Sequence, residues 1–400
     1  MESGPVVYAM QAVGGRTQSA ARRNFRSRDD MDARYRFGIE EEYFLADAST
    51  RGTPRRTQPF HDAVRARIPS VERELLAAQV EVATSPTDNP AAARAQLTEL
   101  RAGLAEVGRE HGLLVLASGT QPLARWDRQR QTRKERYDRL MQQMQMLAQR
   151  NVVCGMHVHV EVPRPAERVD LMNRMLPFIP LLLALSASSP FWQGRDTGIA
   201  AYRLSVWGEM PRTGLPDLFD NAADYDRYVA AMTRSGAITD ASFLWWTLRP
   251  SIHYPTLELR VADSCTRLDD TMAIAALYRC LVRLLDRSQA LNRGQTGAAR
   301  AIIAENLWRA QRDGIRAAFL DMEGDTAPFA TGLEAILSQV AADAAALGCE
   351  AELAWLRTLT AEGTSSDRQL ALFAAARGDA RQALSATVDW IAAATAGTAS

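Results

Sequence analysis

Lysine is almost missing from this chain: Lys134 is the single lysine among 47 basic residues, the others being arginine. A GC-rich genome produces such a bias. Its chemical consequence is that a lysine-based phosphate cradle or a Schiff base has next to no candidates. Net charge is missing too, because 47 acidic residues balance the 47 basic ones, so no overall field draws the chain to nucleic acid or to an anionic membrane. Cysteine is sparse. Cys154, Cys265, Cys280 and Cys349 stand far apart, with neither CxxC spacing nor the density of a disulfide scaffold, as expected of reduced thiols in a cytoplasmic protein. The first residues are rich in Arg, Ser and Ala and lack the apolar stretch of a secretory signal. Residues 1–33 therefore read as a flexible tail, with Met31 as an alternative start. The most apolar run, 175–189, contains Pro177 and Pro180, is short for a membrane span and reads as a buried helix. Two nucleotide motifs are absent as well: no GxxxxGK[ST], and no GxGxxG following a strand.

What is present suits an ordinary globular protein. Of 400 residues, 47% are hydrophobic and 24% charged, which is ample for a core, and length alone allows one large domain or two ordinary ones. No internal repeat or linker divides the chain, so 34–400 is expected to form a single catalytic domain with a helical C-terminal part. Strands are expected at 35–46, 79–82, 113–117, 152–162 and 256–261. Helices are expected at 91–112, with Asp88 or Asn89 as N-cap and Pro90 in the first turn, and at 133–150, 165–186 and 220–235. From Asp269 onward the pattern is almost wholly helical. Strands followed by helices predict an α+β fold, with helices on one face of a mainly antiparallel sheet.

The strands carry an unusual polar set. Side chains two apart on a strand share a face. In Phe37-Gly38-Ile39-Glu40-Glu41-Glu42-Tyr43, Glu40 and Glu42 share one face, while Glu41 points with Ile39 and Tyr43. In Met156-His157-Val158-His159-Val160-Glu161, both histidines lie opposite three apolar residues. Leu257-Glu258-Leu259-Arg260-Val261 pairs Glu258 with Arg260, and Glu81 stands between Val80 and Val82.

One explanation is that these faces simply meet water, as one side of an antiparallel sheet often does. A solvated face, however, mixes Thr, Lys, Gln and Ser, whereas these positions are mostly Glu and His. Two carboxylates ~4 Å apart repel by roughly 4 kcal/mol at an effective dielectric near 20, so converging glutamates call for a divalent cation. Oxygen-dominated donors suit Mg²⁺, and a histidine extends this to Mn²⁺. Arg260 among them fits a substrate that brings negative charge to the metals, such as a nucleotide triphosphate. The His-x-His pair also admits a zinc site, although His61, His111 and His253 offer no third ligand in a recognisable metal motif.

At these residues the chain resembles the type-2 glutamate–cysteine ligases, also described as YbdK-type carboxylate–amine ligases. The likeness runs through the Glu40 strand, Gly155-Met156-His157-Val158-His159-Val160 and Ser186-Ala187-Ser188-Ser189-Pro190-Phe191-Trp192-Gln193-Gly194-Arg195-Asp196-Thr197-Gly198. It continues in Pro211-Arg212-Thr213-Gly214-Leu215-Pro216, Leu248-Arg249-Pro250, Glu258-Leu259-Arg260-Val261-Ala262-Asp263 and Gly363-Thr364-Ser365-Ser366-Asp367-Arg368-Gln369. The resemblance implies a glutamine synthetase-like fold, whose curved sheet cradles metals, ATP and amino-acid substrates on its polar face. It implies Glu40, Glu42, Glu81, His157 and Glu258 as metal ligands, with Arg260 and Arg203 contacting phosphate. His159 then contacts substrate or nucleotide, and Glu41 is structural. It also implies a homodimer. One departure is visible: Gly119-Thr120-Gln121-Pro122 stands where the family has Gly-Thr-His-Pro.

The implied reaction is ATP-dependent amide formation through an acyl phosphate, with Glu258, Arg260 and Arg203 as its catalytic residues, joining glutamate to cysteine. Two other classes fit the same residues: a guanidino kinase-like phosphotransferase, and a catalytically weak ATP-binding protein.

Overall fold

The computed structural model describes residues 34–376 and 379–398; the tail expected at 1–33 lies outside the described residues. Strand β1 (Phe37–Asp47) organises the fold because its two faces differ so sharply. Ile39, Glu41 and Tyr43 are buried on one side, while Glu40 and Glu42 stay partly open on the other. Around it lie β2 (Glu72–Arg73), β3 (Gln79–Ala83), β4 (Leu113–Leu116), β5 (Met156–Glu161), β6 (Leu248–Pro250) and β7 (Thr256–Leu259). They form a seven-stranded sheet in the order β6-β7-β5-β1-β3-β2, with β4 pairing the C-terminal part of β1, and every pairing is antiparallel. The α+β class with a mainly antiparallel sheet is as expected.

Helices close over the apolar face. Helix α1 (Pro90–Glu110) is capped by the Asn89 side chain, which accepts from the N–H groups of Ala91 and Ala92, and Pro90 occupies the first turn where no N–H is needed. It buries Ala93, Leu97, Leu104 and Val107 toward the sheet side. The apolar stretch Pro165–Ser186 has 83% of its most apolar window inside the fold, as a core element rather than an exposed span. It is not one helix. It splits into α2 (Arg168–Met175) and α3 (Ile179–Ser186), joined by a tight turn at Leu176–Phe178, because Pro177 and Pro180 cannot donate to the helical ladder. Helix α4 (Leu268–Arg287), buried along most of its length, lies with them in the main core.

Other expectations shift for physical reasons. The helix expected at 133–150 breaks into Glu135–Met144 and Met146–Arg150 at Gln145, whose φ is 49°. The strand expected from 152 starts at Met156, since Val152 and Val153 pack in a separate apolar cluster with Leu116 and Phe191. The helical C-terminal part contains a small hairpin, Ala318–Leu320 with Thr326–Pro328. The strand Glu72–Arg73 escapes sequence reading because two residues carry no periodicity.

Candidate functional site

Directly opposite residues on antiparallel strands point to the same face. Glu42 lies opposite Glu81, Glu40 opposite His157, His159 opposite Glu258, and Glu258 opposite Arg249. Local alternation on each strand thus becomes one polar row running across the sheet. This row is the floor of a cavity of about 440 Å³, whose walls include Trp207, Phe243, Trp245 and Tyr254. That volume lies within the usual range for small-molecule sites.

The row is densely coupled. His157 Nδ1 stands 3.2 Å from a Glu40 oxygen, and His159 Nε2 stands 3.3 Å from the other. His159 Nε2 is also 3.9 Å from Glu258, while His157 Nε2 is 4.0 Å from Glu42. Arg249 grips Glu258 with Nε and Nη2 at 3.1 and 2.8 Å, and Arg260 pairs with the other Glu258 oxygen. Three sets have ligand atoms lying within 4.8 Å of one another: Glu40, His159 and Glu258; Glu40, Glu81 and His157; and Glu42, Glu74 and Glu81. These are carboxylate oxygens with imidazole, a donor chemistry that fits Mg²⁺ or Mn²⁺.

The electrostatics divide the row in two. Toward β7, burial pushes Glu258 up, but Arg260 and Arg249 overcome it and hold the carboxyl down to about 2. Burial opposes the charge on Glu40 too, yet hydrogen bonds with His157 and His159 keep that carboxyl well below the usual range. His157 is pushed down to about 4, by burial and then by Arg260. For His159, bonding to Glu40 and the charge of Glu258 outweigh burial and raise it. Toward β2 the signs reverse. Burial and then the neighbouring Glu74 push Glu42 up to about 7, and burial with Glu74, Glu40 and Glu42 drives Glu81 well above its ordinary value. At this end burial and neighbouring carboxylates oppose charge on Glu42 and Glu81, and a bound cation would favour it.

Seven of the eight residues singled out above line the cavity: Glu40, Glu42, Glu81, His157, His159, Glu258 and Arg260. Arg203 does not. Its side chain is 1% exposed, its guanidinium donates to the carbonyls of Val261 (3.2 Å) and Arg260 (3.3 Å), and it stacks on Trp207. It lies against Gly155, where an added Cβ would come within 2.2 Å of Nη2, so only glycine admits the guanidinium there. Glu41 behaves as its alternation predicts. It is fully buried on the opposite face, bonded by Arg101 and by the hydroxyls of Tyr43 and Thr271.

Glu74 and Arg249 join the site although sequence analysis did not select them. Glu74 sits in the short connection between β2 and β3, where no alternation marks it, and Arg249 belongs to Leu248-Arg249-Pro250, to which the family resemblance assigns no role. Gln121, the departure from the family pattern, is 1% exposed and away from the cavity walls. Its amide donates to the Arg51 carbonyl and accepts from the Leu123 N–H, two bonds that a neutral histidine could also make. Trp207 and Trp245 line the cavity, Trp192 and Trp246 pack in the core, and Cys154 and Cys265 are buried.

The family described as Glutamate-cysteine ligase family 2 (GCS2) matches residues 36–386. Two bacterial proteins, both named by inference glutamate–cysteine ligase 2, are similar over most of their length. The one from Bradyrhizobium sp. strain ORS 278 is 46% identical over 366 residues, covering 90% of this chain and 88% of that protein. The one from Rhodospirillum rubrum is 44% identical over 371 residues, covering 90% and 95%. Among solved structures, a Francisella tularensis glutamate–cysteine ligase in complex with AMP aligns with a TM-score of 0.64 at 12% identity, covering 90% of this chain and 88% of that one. A bifunctional glutathione synthetase from Pasteurella multocida aligns at 0.65 with 16% identity, covering 90% of this chain and 52% of the other. At those identities the two structures speak for the fold. The sequence match, running through almost all of the described chain, speaks for descent, and the chain belongs to glutamate-cysteine ligase family 2.

Proposed function

We propose that the chain is an ATP-dependent carboxylate–amine ligase acting through an acyl phosphate, with glutamate as the carboxylate and cysteine as the amine. The observation that carries this is the gathering of Glu40, Glu42, Glu81, His157 and Glu258 on the floor of one cavity, in a chain of this family. Those five residues, with Glu74, are the groups that would hold Mg²⁺ or Mn²⁺. The chemistry a dication supplies there when bound is neutralisation of triphosphate oxygens and polarisation of the transferred phosphoryl group.

In the first step a substrate carboxylate oxygen bonds to the γ-phosphorus, the bond to the β-phosphate oxygen breaks, and ADP leaves. In the second, the amine nitrogen bonds to the acyl carbon, phosphate departs with the acyl C–O electrons, and the nitrogen loses a proton. Arg260 lines the cavity beside Glu258, so its guanidinium is the group that would meet a phosphate oxygen there. Arg249 and Glu258 hold it in place from the sheet. Arg203 supports it from behind, bonded to the Arg260 carbonyl, and serves the phosphate through that residue. His159, between Glu40 and Glu258 on the cavity floor, would contact substrate or nucleotide. Pre-positioning of both substrates over a rigid sheet supplies much of the remaining rate.

The same reading makes residues 34–400 one catalytic unit, since α4 from the C-terminal half shares the main core with the sheet. It also takes the enzyme to be cytoplasmic and homodimeric. The decisive experiment is phosphate release from ATP over amino-acid pairs, with Mg²⁺ or Mn²⁺, in wild type and Glu258→Gln. Activity should require metal and both substrates, and fall by about 100-fold or more in the variant, as when charge-stabilising groups are removed. Retention of most activity would remove Glu258 from the catalytic set. Release of ADP with a phosphorylated acceptor and no free phosphate would make the protein a phosphotransferase.

A further inference from the structure

We infer that Lys134 contacts substrate, giving an ammonium N–H to an anionic oxygen bound at the β2 end of the cavity. This rests on the proposed reading that the cavity takes a nucleotide and an amino-acid carboxylate. The first observation is compositional. Arginine fills every other Lys/Arg position of the chain, so Lys134 is its single lysine. That place is on the cavity wall, which takes 27 residues of 400, so an indifferent position would fall there about one time in fifteen.

The second observation is geometric. Lys134 precedes helix Glu135–Met144, which walls the β2 end of the cavity through Tyr137 and Leu140. Its Nζ donates to Glu72 Oε2 at 2.9 Å and to the Arg73 carbonyl at 3.0 Å. An ammonium carries three N–H groups, of which Glu72 and the Arg73 carbonyl take two, and its Nζ also lies 5.4 Å from the centroid of the Tyr137 ring. The side chain is 38% exposed and lines the cavity. An arginine in its place would tend to spend its planar fork on the Glu72 carboxylate, whereas the compact ammonium meets Glu72 with one donor and keeps another. Across the floor, Arg260 lies at the β7 end, and the carboxylates run from there to the crowded β2 end beside Lys134. Lys134 with Arg73 at one end, and Arg260 with Arg249 at the other, thus flank the acidic row.

The anionic oxygen belongs either to the nucleotide phosphates or to the substrate carboxylate, and two binding measurements separate them. Calorimetry with full-length protein would follow Mg²⁺ with a non-hydrolysable ATP analogue in one arm and glutamate in the other, for wild type, Lys134→Arg and Lys134→Gln. Both lysine variants should weaken one ligand by about 10- to 100-fold, the range for losing a charged hydrogen bond, and leave the other unchanged. A merely structural tie to Glu72 and the Arg73 carbonyl would instead weaken both ligands alike, and that result would overturn the inference. Unchanged thermal unfolding would show that the variants fold. Lysine variants that bind both ligands as wild type does would overturn the inference, as would a wild type that binds neither. A wild type that binds both but forms no amide would overturn the ligase reading alone.

Discussion

Glu41 sits between two carboxylates that face the cavity, and yet its own surroundings are the reverse of theirs. Its carboxyl is completely buried, and the Arg101 guanidinium, with Nε at 3.0 Å, holds it below the usual range in spite of that burial. Arg101 is itself 3% exposed and also donates to the carbonyls of Thr266 and Cys265, so it ties α1 to the segment leading into α4. Glu41→Gln would leave a buried guanidinium without its counter-charge, which typically costs about 3–5 kcal/mol. Urea unfolding should show that loss, while metal affinity in the folded fraction stays close to wild type, because Glu41 faces away from Glu40 and Glu42. A stability within 1 kcal/mol, on the order of a surface substitution, would mean that Arg101 finds another partner.

Helix α1 matters to the site because it carries Arg101 behind the central strand. Its start is set locally, by the Asn89 oxygen meeting the N–H groups of Ala91 and Ala92. Asn89→Ala should therefore cost about 1 kcal/mol, as caps do, visible as a lower unfolding midpoint. Because the cap is exposed and lies outside the cavity walls, KM for every substrate should be unchanged; a rise in KM would show that the helix end moves the sheet. The same element shows where local signals suffice. The sequence offers Asp88 or Asn89 as the cap ahead of Pro90, and the structure selects Asn89. The helix expected at 165–186 shows the limit, because its apolar pattern is continuous while two prolines divide the backbone beneath it.

For the molecule as a whole, the crowded carboxylates at the β2 end have a thermodynamic consequence. Glu42, Glu74 and Glu81 bring ligand atoms within 4.8 Å of one another, with burial opposing charge on Glu42 and Glu81. Any ion that binds only the folded chain stabilises it, by about 2.7 kcal/mol at a hundredfold excess over Kd. Mg²⁺ or Mn²⁺ without nucleotide should accordingly raise Tm by several degrees, chelation should reverse the shift, and Glu42→Gln with Glu81→Gln should shrink it. A Tm indifferent to dications would speak against these residues as their ligands.

The faces of individual strands could be read directly from the chain, because alternation is a covalent property of extended backbone: Glu40 with Glu42, His157 with His159, Glu258 with Arg260, and Glu41 turned away. Which strands lie side by side, and in what register, depends on contacts between residues far apart in the chain, and local periodicity carries no record of them. For that reason the convergence of the carboxylates on one cavity, the entry of Glu74 and Arg249, and the withdrawal of Arg203 behind the wall emerged only once the sheet was assembled. Lys134 belongs to both kinds of knowledge. Its rarity was visible in the composition, but its place beside Glu72 was decided by the packing of a distant helix onto the edge of the sheet.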